Sequence, residues 1–280
     1  MIFVTDKGRL CNNILQYGHL YAWGRENGRK TMSMRFAYKY KDFHISHTPG
    51  HNTLTYVAAK MAAKCRLIPT VTFNDINSDY ADEQLLMLHH RHVLATGWCV
   101  RFPDLFEKYK KEILQLFAFD DNVEKQALLR LTNVPAPSVK SLALGVHVRR
   151  GDYATWCGGH YFYDDRQYAN VIQQFVNLFE GNDVNIYICG NDPELDRSYY
   201  SQMFGKDHVR FPDGTPAEDL CLLSHCDYLI GAPSTFSLVA SMYHDTPLYW
   251  IIDPQKPLEK TSFDTFDHLF RHFDDLYIPA

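Results

Sequence analysis

The sequence predicts an α/β protein made of two Rossmann-like lobes facing a cleft. Short apolar runs alternate with stretches of helical periodicity, which implies βαβ units and mostly parallel sheets covered on both faces. A length of 280 residues fits two modest domains. Pro135 and Pro137, in a Thr-Asn-Val-Pro-Ala-Pro stretch, supply the boundary and give domains 1–137 and 138–280.

Residues 2–5 form an apolar first strand that ends in a charged loop containing Gly8. Ile14, Tyr17, Gly18 and Tyr21 then recur at helical spacing up to Gly28. Leu54, Val57, Ala58, Met61, Ala62 and Cys65 make an amphipathic stripe, the pattern of a helix that packs one face against a core, and 67–73 reads as a strand. From 89 to 131 the pattern is mostly helical, with Leu105, Phe106, Tyr109, Ile113 and Phe117 on one face. The second half is more regular. Residues 142–148, 184–189, 208–211, 228–230 and 247–252 read as strands, and Tyr168, Val171, Ile172, Phe175 and Phe179 mark a helix that starts at the N-cap pair Asp164 and Asp165.

Composition narrows the function. With 46% hydrophobic and 22% charged residues the chain is an ordinary globular protein, which excludes collagen, coiled coil and simple disorder. A net charge of −5 argues against an overall basic footprint for duplex nucleic acid. Aromatics at 14% supply ring faces and hydroxyls suited to sugars or bases. Seven scattered cysteines, an odd number, fit free thiols in a reducing compartment, with Cys221 and Cys226 as core residues. The first residues lack a basic n-region, and the longest uncharged stretch, 228–243, is too short to span a bilayer. The expected location is cytoplasmic, with peripheral contact at the inner membrane allowed.

Three motifs carry chemistry. The first is Gly-Val-His-Val-Arg-Arg-Gly-Asp-Tyr at 145–153, which closes a strand and puts charge at its carboxyl end, where open α/β sheets bind ligands. Alternation sets His147 and Arg149 on one face and Arg150 on the other. One arginine can fork onto an anion such as a pyrophosphate while its neighbour pairs with a scaffold carboxylate. The second motif, 218–237, reads as helix, strand and a small-residue loop opening another helix at Ser234 or Thr235, an N-terminus suited to phosphate. Asp219 could accept from the N1–H and N2–H₂ edge of guanine. The third is the Gly8 loop and following helix start, where Asn12 can cap the helix or reach into the cleft. The histidines at 44, 47 and 51 and at 89, 90 and 92 read as surface or loop residues, because no ligand set accompanies them.

Together the three strings resemble the α-1,2-fucosyltransferases of glycosyltransferase family 11 and, more distantly, the α-1,6- and protein O-fucosyltransferases. The signature His-x-Arg-Arg-x-Asp-Tyr is met by His147, Arg149, Arg150, Asp152 and Tyr153. Gly8, Leu10, Asn12, Gln16 and Tyr17 meet the N-terminal pattern, and 219–237 meets the late one. Two departures fall on the acceptor side. The usual Gly-Asn-Gln is Cys11-Asn12-Asn13 here, and Phe-Ser-Trp-Trp becomes Phe236-Ser237-Leu238-Val239.

The resemblance implies a GT-B fold with an acceptor-side first lobe and a second lobe holding GDP-fucose. It also implies inverting, metal-independent transfer of L-fucose to a glycan or glycolipid hydroxyl, O-2 of a galactoside. No metal cofactor is expected, since no Asp-x-Asp occurs in the chain. Arg149 and Asp152 are the expected catalytic residues, Arg149 gripping the diphosphate. Asn12, His147, Arg150, Tyr153, His160, Asp219, Ser234 and Thr235 are the expected substrate-binding residues, with Asp219 reading guanine and Ser234 or Thr235 touching phosphate. For Asp152 a structural partnership with an arginine is the competing role. A transferase using another GDP-sugar, or a silent nucleotide-sugar or glycan-binding protein, are the rival readings.

Overall fold

The computed structural model describes residues 1–5, 8–132, 141–190 and 192–276. The chain divides into two compact units, Met1–Asp120 and Asp121–Ala280. The first contains β1 (Ile2–Val4), α1 (Leu10–Glu26), β2 (Thr31–Ser33), α2 (Met34–Tyr38), α3 (Thr53–Lys64), β3 (Thr70–Thr72), α4 (Ala81–His89), β4 (Val93–Thr96), α5 (Pro103–Lys108) and α6 (Lys110–Leu116). Among the described residues its strands run parallel in the order β2-β1-β4-β3.

The second unit contains α7 (Asp121–Thr132), β5 (Ser141–Val148), α8 (Asp165–Leu178), β6 (Asp183–Gly190), α9 (Arg197–Phe204), β7 (Val209–Arg210), α10 (Pro216–Ser224), β8 (Tyr228–Gly231), α11 (Thr235–His244), β9 (Leu248–Trp250) and α12 (Phe266–Arg271). Its parallel sheet has the order β7-β6-β5-β8-β9, which counted within the unit is the Rossmann order 3-2-1-4-5. The expected α/β architecture with Rossmann-like units is therefore present.

The boundary expected at 137/138 lies outside the described residues, but the units separate earlier, so α7 belongs with the second and not the first. The reason is packing. α7 lies on α10, Arg130 pairs with Glu218 at 2.9 Å, and the Leu131 carbonyl accepts from the Tyr187 hydroxyl at 2.7 Å.

All five strands expected in the second half are present. Leu144, Val146, Val148, Val184, Ile186 and Ile188 form one face of the sheet with Tyr168, Val171, Ile172 and Phe175 of α8. α8 begins as its sequence predicts: the Asp164 carboxylate accepts from Gln167 N at 2.8 Å, and the Gln167 side chain accepts from Asp164 N at 2.8 Å. On the other face Gly145 admits Leu223 of α10, since a Cβ there would stand 2.7 Å from a Leu223 methyl.

The first unit departs further from expectation. β4 sits inside the stretch read as mostly helical, because four residues carry too little periodicity to separate a buried strand from helix. Phe106, Ile113 and Phe117 do turn inward, but from two short helices. His51 lies on a loop, as one of the two readings had it, but is buried and accepts from Ser33 N at 3.0 Å. The α3 stripe does not face a core: Ala59 is the buried residue of that helix, and Leu54, Val57 and Met61 are exposed.

The Asp164 cap anchors the helix that packs on the Leu144, Val146 and Val148 face of the sheet. Asp164→Ala should lower stability by about 1 kcal/mol, read as a lower urea midpoint with an unchanged m-value.

Candidate functional site

The site grows from the end of β5. β5 is flanked by β6 and β8, with His147 opposite Cys189 on one side and Gly231 on the other. β5 and β8 are the strands at which the sheet's winding reverses, and at such a point the chain opens a crevice beyond the strand ends. The α11 N-terminus lies there as well. Ser234 is its N-cap, accepting from Phe236 N at 3.2 Å, and the Tyr153 hydroxyl donates to the Pro233 carbonyl just before it.

The two adjacent arginines take opposite duties. The Arg150 guanidinium is buried and spent: Nε donates to the Tyr163 carbonyl at 2.9 Å, one terminal nitrogen lies 2.9 Å from Asp192, and the other 2.5 Å from Asp165. Its place among the substrate-binding residues is thus corrected to the scaffold role that alternation allowed for one of the pair. Arg149 is 14% exposed, lies 5.2 Å over the Tyr153 ring and reaches Asp152 through one terminal nitrogen at 2.8 Å. Its Nε is buried and has no hydrogen-bond partner among the described residues. Buried donors in native proteins are almost always satisfied, so an open guanidinium nitrogen is a position where a ligand acceptor could be taken up.

His147 supplies a second such atom. Its ring stacks on Phe236 with centroids 4.7 Å apart, and its Nδ1 is buried with no partner among the described residues. Burial, aided by the positive charge of Arg149, pushes its pKa down to about 3, so the ring is neutral at physiological pH. The Arg149 backbone N–H is held by the Tyr168 hydroxyl at 3.1 Å.

Asp219 lies on α10, close enough to Cys189 for its charge to raise that thiol's pKa. Cys189 in turn pairs with His147 across the sheet. Asp219 accepts from Gly214 N at 3.1 Å, and burial pushes its pKa up to about 6 against the pull of Arg130.

His147, Arg149, Asp152, Tyr153, Ser234 and Thr235 therefore gather at one end of the sheet. Tyr153 is committed to the backbone before α11, which makes it a support rather than a contact of ligand. Asp152, 55% exposed, holds Arg149. His160 stands apart on an exposed turn, edge-on to Tyr161 at 4.7 Å. Asn12 belongs to the first unit. It is not the cap of α1, whose N-cap is Arg9 without a side-chain bond. Asn12 instead folds back over Gly8, where a Cβ would meet its Nδ2 at 2.3 Å. Phe236, Tyr168 and Arg130 went unnamed as site residues; only Phe236, inside the second motif, left a local signal. Among the described residues no group of three or more His, Cys, Asp or Glu could hold a metal ion, and no helix is long and apolar enough to cross a membrane.

In build, the second unit is a Rossmann unit with an anion-ready strand end. The chain belongs to glycosyl transferase family 11, whose model matches residues 1–247. It is 28% identical over 249 residues to galactoside alpha-(1,2)-fucosyltransferase 2 of Pongo pygmaeus, a match covering 84% of this chain and 66% of that protein. It is 27% identical over 252 residues to galactoside 2-alpha-L-fucosyltransferase Sec1 of Mus musculus, covering 86% and 64%. The chain thus spans about two thirds of the length of these relatives.

In fold it is similar to an Arabidopsis thaliana FUT1 mutant in complex with GDP, at TM-score 0.59 and 12% identity over 94% of this chain and 73% of that one. It is likewise similar to POFUT1 in complex with GDP-fucose, at TM-score 0.59 and 11% identity over 87% and 94%. NodZ alpha-1,6-fucosyltransferase soaked with GDP-fucose matches at TM-score 0.52 and 13% identity over 89% and 94%.

The division between the arginines has a measurable consequence. Arg150→Ala strands two carboxylates in a buried site and should cost about 3 kcal/mol or more, whereas Arg149→Ala should change stability by under about 1 kcal/mol. Chemical denaturation of the two variants side by side reads the difference; equal losses would contradict it.

Proposed function

We propose that the protein transfers L-fucose from GDP-fucose to a glycan hydroxyl, O-2 of a galactoside, with inversion at the sugar and without a metal ion. The observation that carries this reading is the pair of buried nitrogens, Arg149 Nε and His147 Nδ1, unpartnered among the described residues and beside the α11 N-terminus. The names of the relatives supply the galactoside and the linkage.

As the bond from fucose C1 to the β-phosphate oxygen breaks, its electron pair leaves with GDP and the sugar acquires oxocarbenium character. The diphosphate needs fixed positive charge at that moment. Arg149 provides it, held by Asp152 and by Tyr153 beneath its plane, and the first N–H groups of α11 add their partial charge. Asp152 acts here as a positioning residue, since its carboxylate is engaged by the guanidinium. His147, neutral and stacked on Phe236, offers a nitrogen to the nucleoside side without adding a charge. Asp219 accepts from the guanine edge. The acceptor oxygen attacks C1 from the face opposite the departing phosphate and releases its proton to solvent as the new bond forms. A strongly dissociative transition state lowers the demand for a dedicated base.

The direct test is GDP release from GDP-fucose in EDTA with a panel of galactosides. Turnover that survives chelation is expected, and a strict requirement for manganese would refute the metal-free step. GDP bound tightly with no turnover on any glycan would favour a silent binder. Arg149→Ala should lower kcat by on the order of a hundredfold, the loss seen when one preorganised donor is removed.

Asp219 gives a pH signature. Its folded pKa of about 6 lies above the unfolded value, so the ionised carboxylate costs stability at pH 7, and that cost disappears as the pH falls through 6 towards 4. Guanine donors require the ionised form. GDP affinity should accordingly be flat above pH 7 and weaken below pH 6. Asp219→Asn should raise the thermal midpoint of the free protein while lowering its shift with GDP. An unaltered GDP shift would remove Asp219 from the base-reading role.

A further inference from the structure

We propose that α3 and the adjoining α2 form a docking surface for an anionic lipid bilayer. The observation is an apolar helix face turned outward. Leu54 is 80% exposed, Val57 47%, Met61 50% and Leu67, just past the helix, 77%. At 100° per residue Leu54, Val57, Ala58, Met61 and Cys65 fall on one side of the helix, opposite Ala59, its buried residue. Isolated exposed leucines are ordinary; a contiguous aliphatic stripe on one helix face is not.

Charge decides what covers it. Residues 34–68 contain six basic residues, Arg35, Lys39, Lys41, Lys60, Lys64 and Arg66, and one acidic residue, Asp42, in a chain whose net charge is −5. Lys60 and Lys64 line one edge of the stripe along the same helix. The acidic residues Asp75 and Asp79 follow β3, at the end of that strand opposite Arg66 and Leu67. The stripe is therefore bordered by positive charge.

Tyrosines complete the arrangement. Tyr38 and Tyr56 pack with ring centroids 4.4 Å apart and planes tilted by 36°, Arg35 donates to the Tyr38 hydroxyl at 3.1 Å, and the Lys60 amine lies 5.5 Å over the Tyr56 ring. Aliphatic side chains that enter the acyl boundary, tyrosines at headgroup depth and lysine stems that reach phosphate are the chemistry of an interfacial helix. The stripe itself is leucine, valine and methionine, which offer no flat ring to a sugar face and no hydrogen bonds to its hydroxyls. Anionic headgroups attract the basic rim, and each lysine near the surface strengthens binding about fivefold at low salt.

The test is cosedimentation of the full chain with vesicles of phosphatidylcholine alone or mixed with phosphatidylglycerol. Binding is expected to the mixed vesicles, with little to phosphatidylcholine and release at high salt. Leu54→Ser with Met61→Ser, and separately Lys60→Glu with Lys64→Glu, should each weaken that binding at least tenfold. These positions are exposed, so the thermal midpoint should stay within a few degrees and report an intact fold. Absence of binding to the mixed vesicles, or binding undiminished in both variants, would overturn the proposal. So would a salt-insensitive dimer that the serine pair dissociates while vesicle binding is missing, because a second copy would then be what covers the stripe.

Discussion

The second unit depends on one buried cation. Arg150 ties three elements together at a point where backbone pairing has already stopped: the end of β5, the first turn of α8 through Asp165, and the segment after β6 through Asp192. A guanidinium out of water is costly unless its nitrogens are paired, and the Tyr163 carbonyl accepts from Nε while each carboxylate takes one terminal nitrogen. Asp165 also accepts from the Tyr200 hydroxyl at 3.0 Å, so the network extends to α9. With that node in place the next residue back along the chain has a fixed backbone, and Arg149 is presented rather than merely tethered.

The presented groups are kept under tension of a specific kind. His147 is neutral because burial and the neighbouring positive charge both oppose protonation, and Asp219 is hard to ionise because burial outweighs Arg130. Arg149 Nε and His147 Nδ1 lack partners among the described residues. Each arrangement costs the free protein stability, a cost that a complementary ligand would offset. Around them Phe236, Tyr168 and Tyr153 are locked by stacking or hydrogen bonds, so the unsatisfied atoms are held at set positions.

The first unit is put together by a different route. α1 is buried along most of its length and carries Gly18 against Phe106, where a Cβ would stand 2.3 Å from the ring. α3 is the reverse, a helix whose apolar positions face outward. The same period of 3.6 residues produced both patterns, and only the location of neighbouring elements distinguishes a core stripe from a surface one.

Much was legible in the chain alone. Strand runs and the Asp164 cap fixed the second unit because β5 and β6 are long, buried on both faces and bracketed by turn chemistry that acts locally. The signature residues 147–153 placed charge at a strand end for the same local reason, and alternation separated the two arginines. What the linear order withheld is whatever depends on partners far apart in sequence. Asp165 and Asp192 had to come together before Arg150 could be known as scaffold, Arg130 had to swing in from α7 before the surroundings of Asp219 were defined, and β4 became a strand only by lying between β1 and β3. Local periodicity reports which side of an element is apolar; the packing of distant elements decides which side is covered, and so which polar groups are spent on the fold and which remain for a ligand.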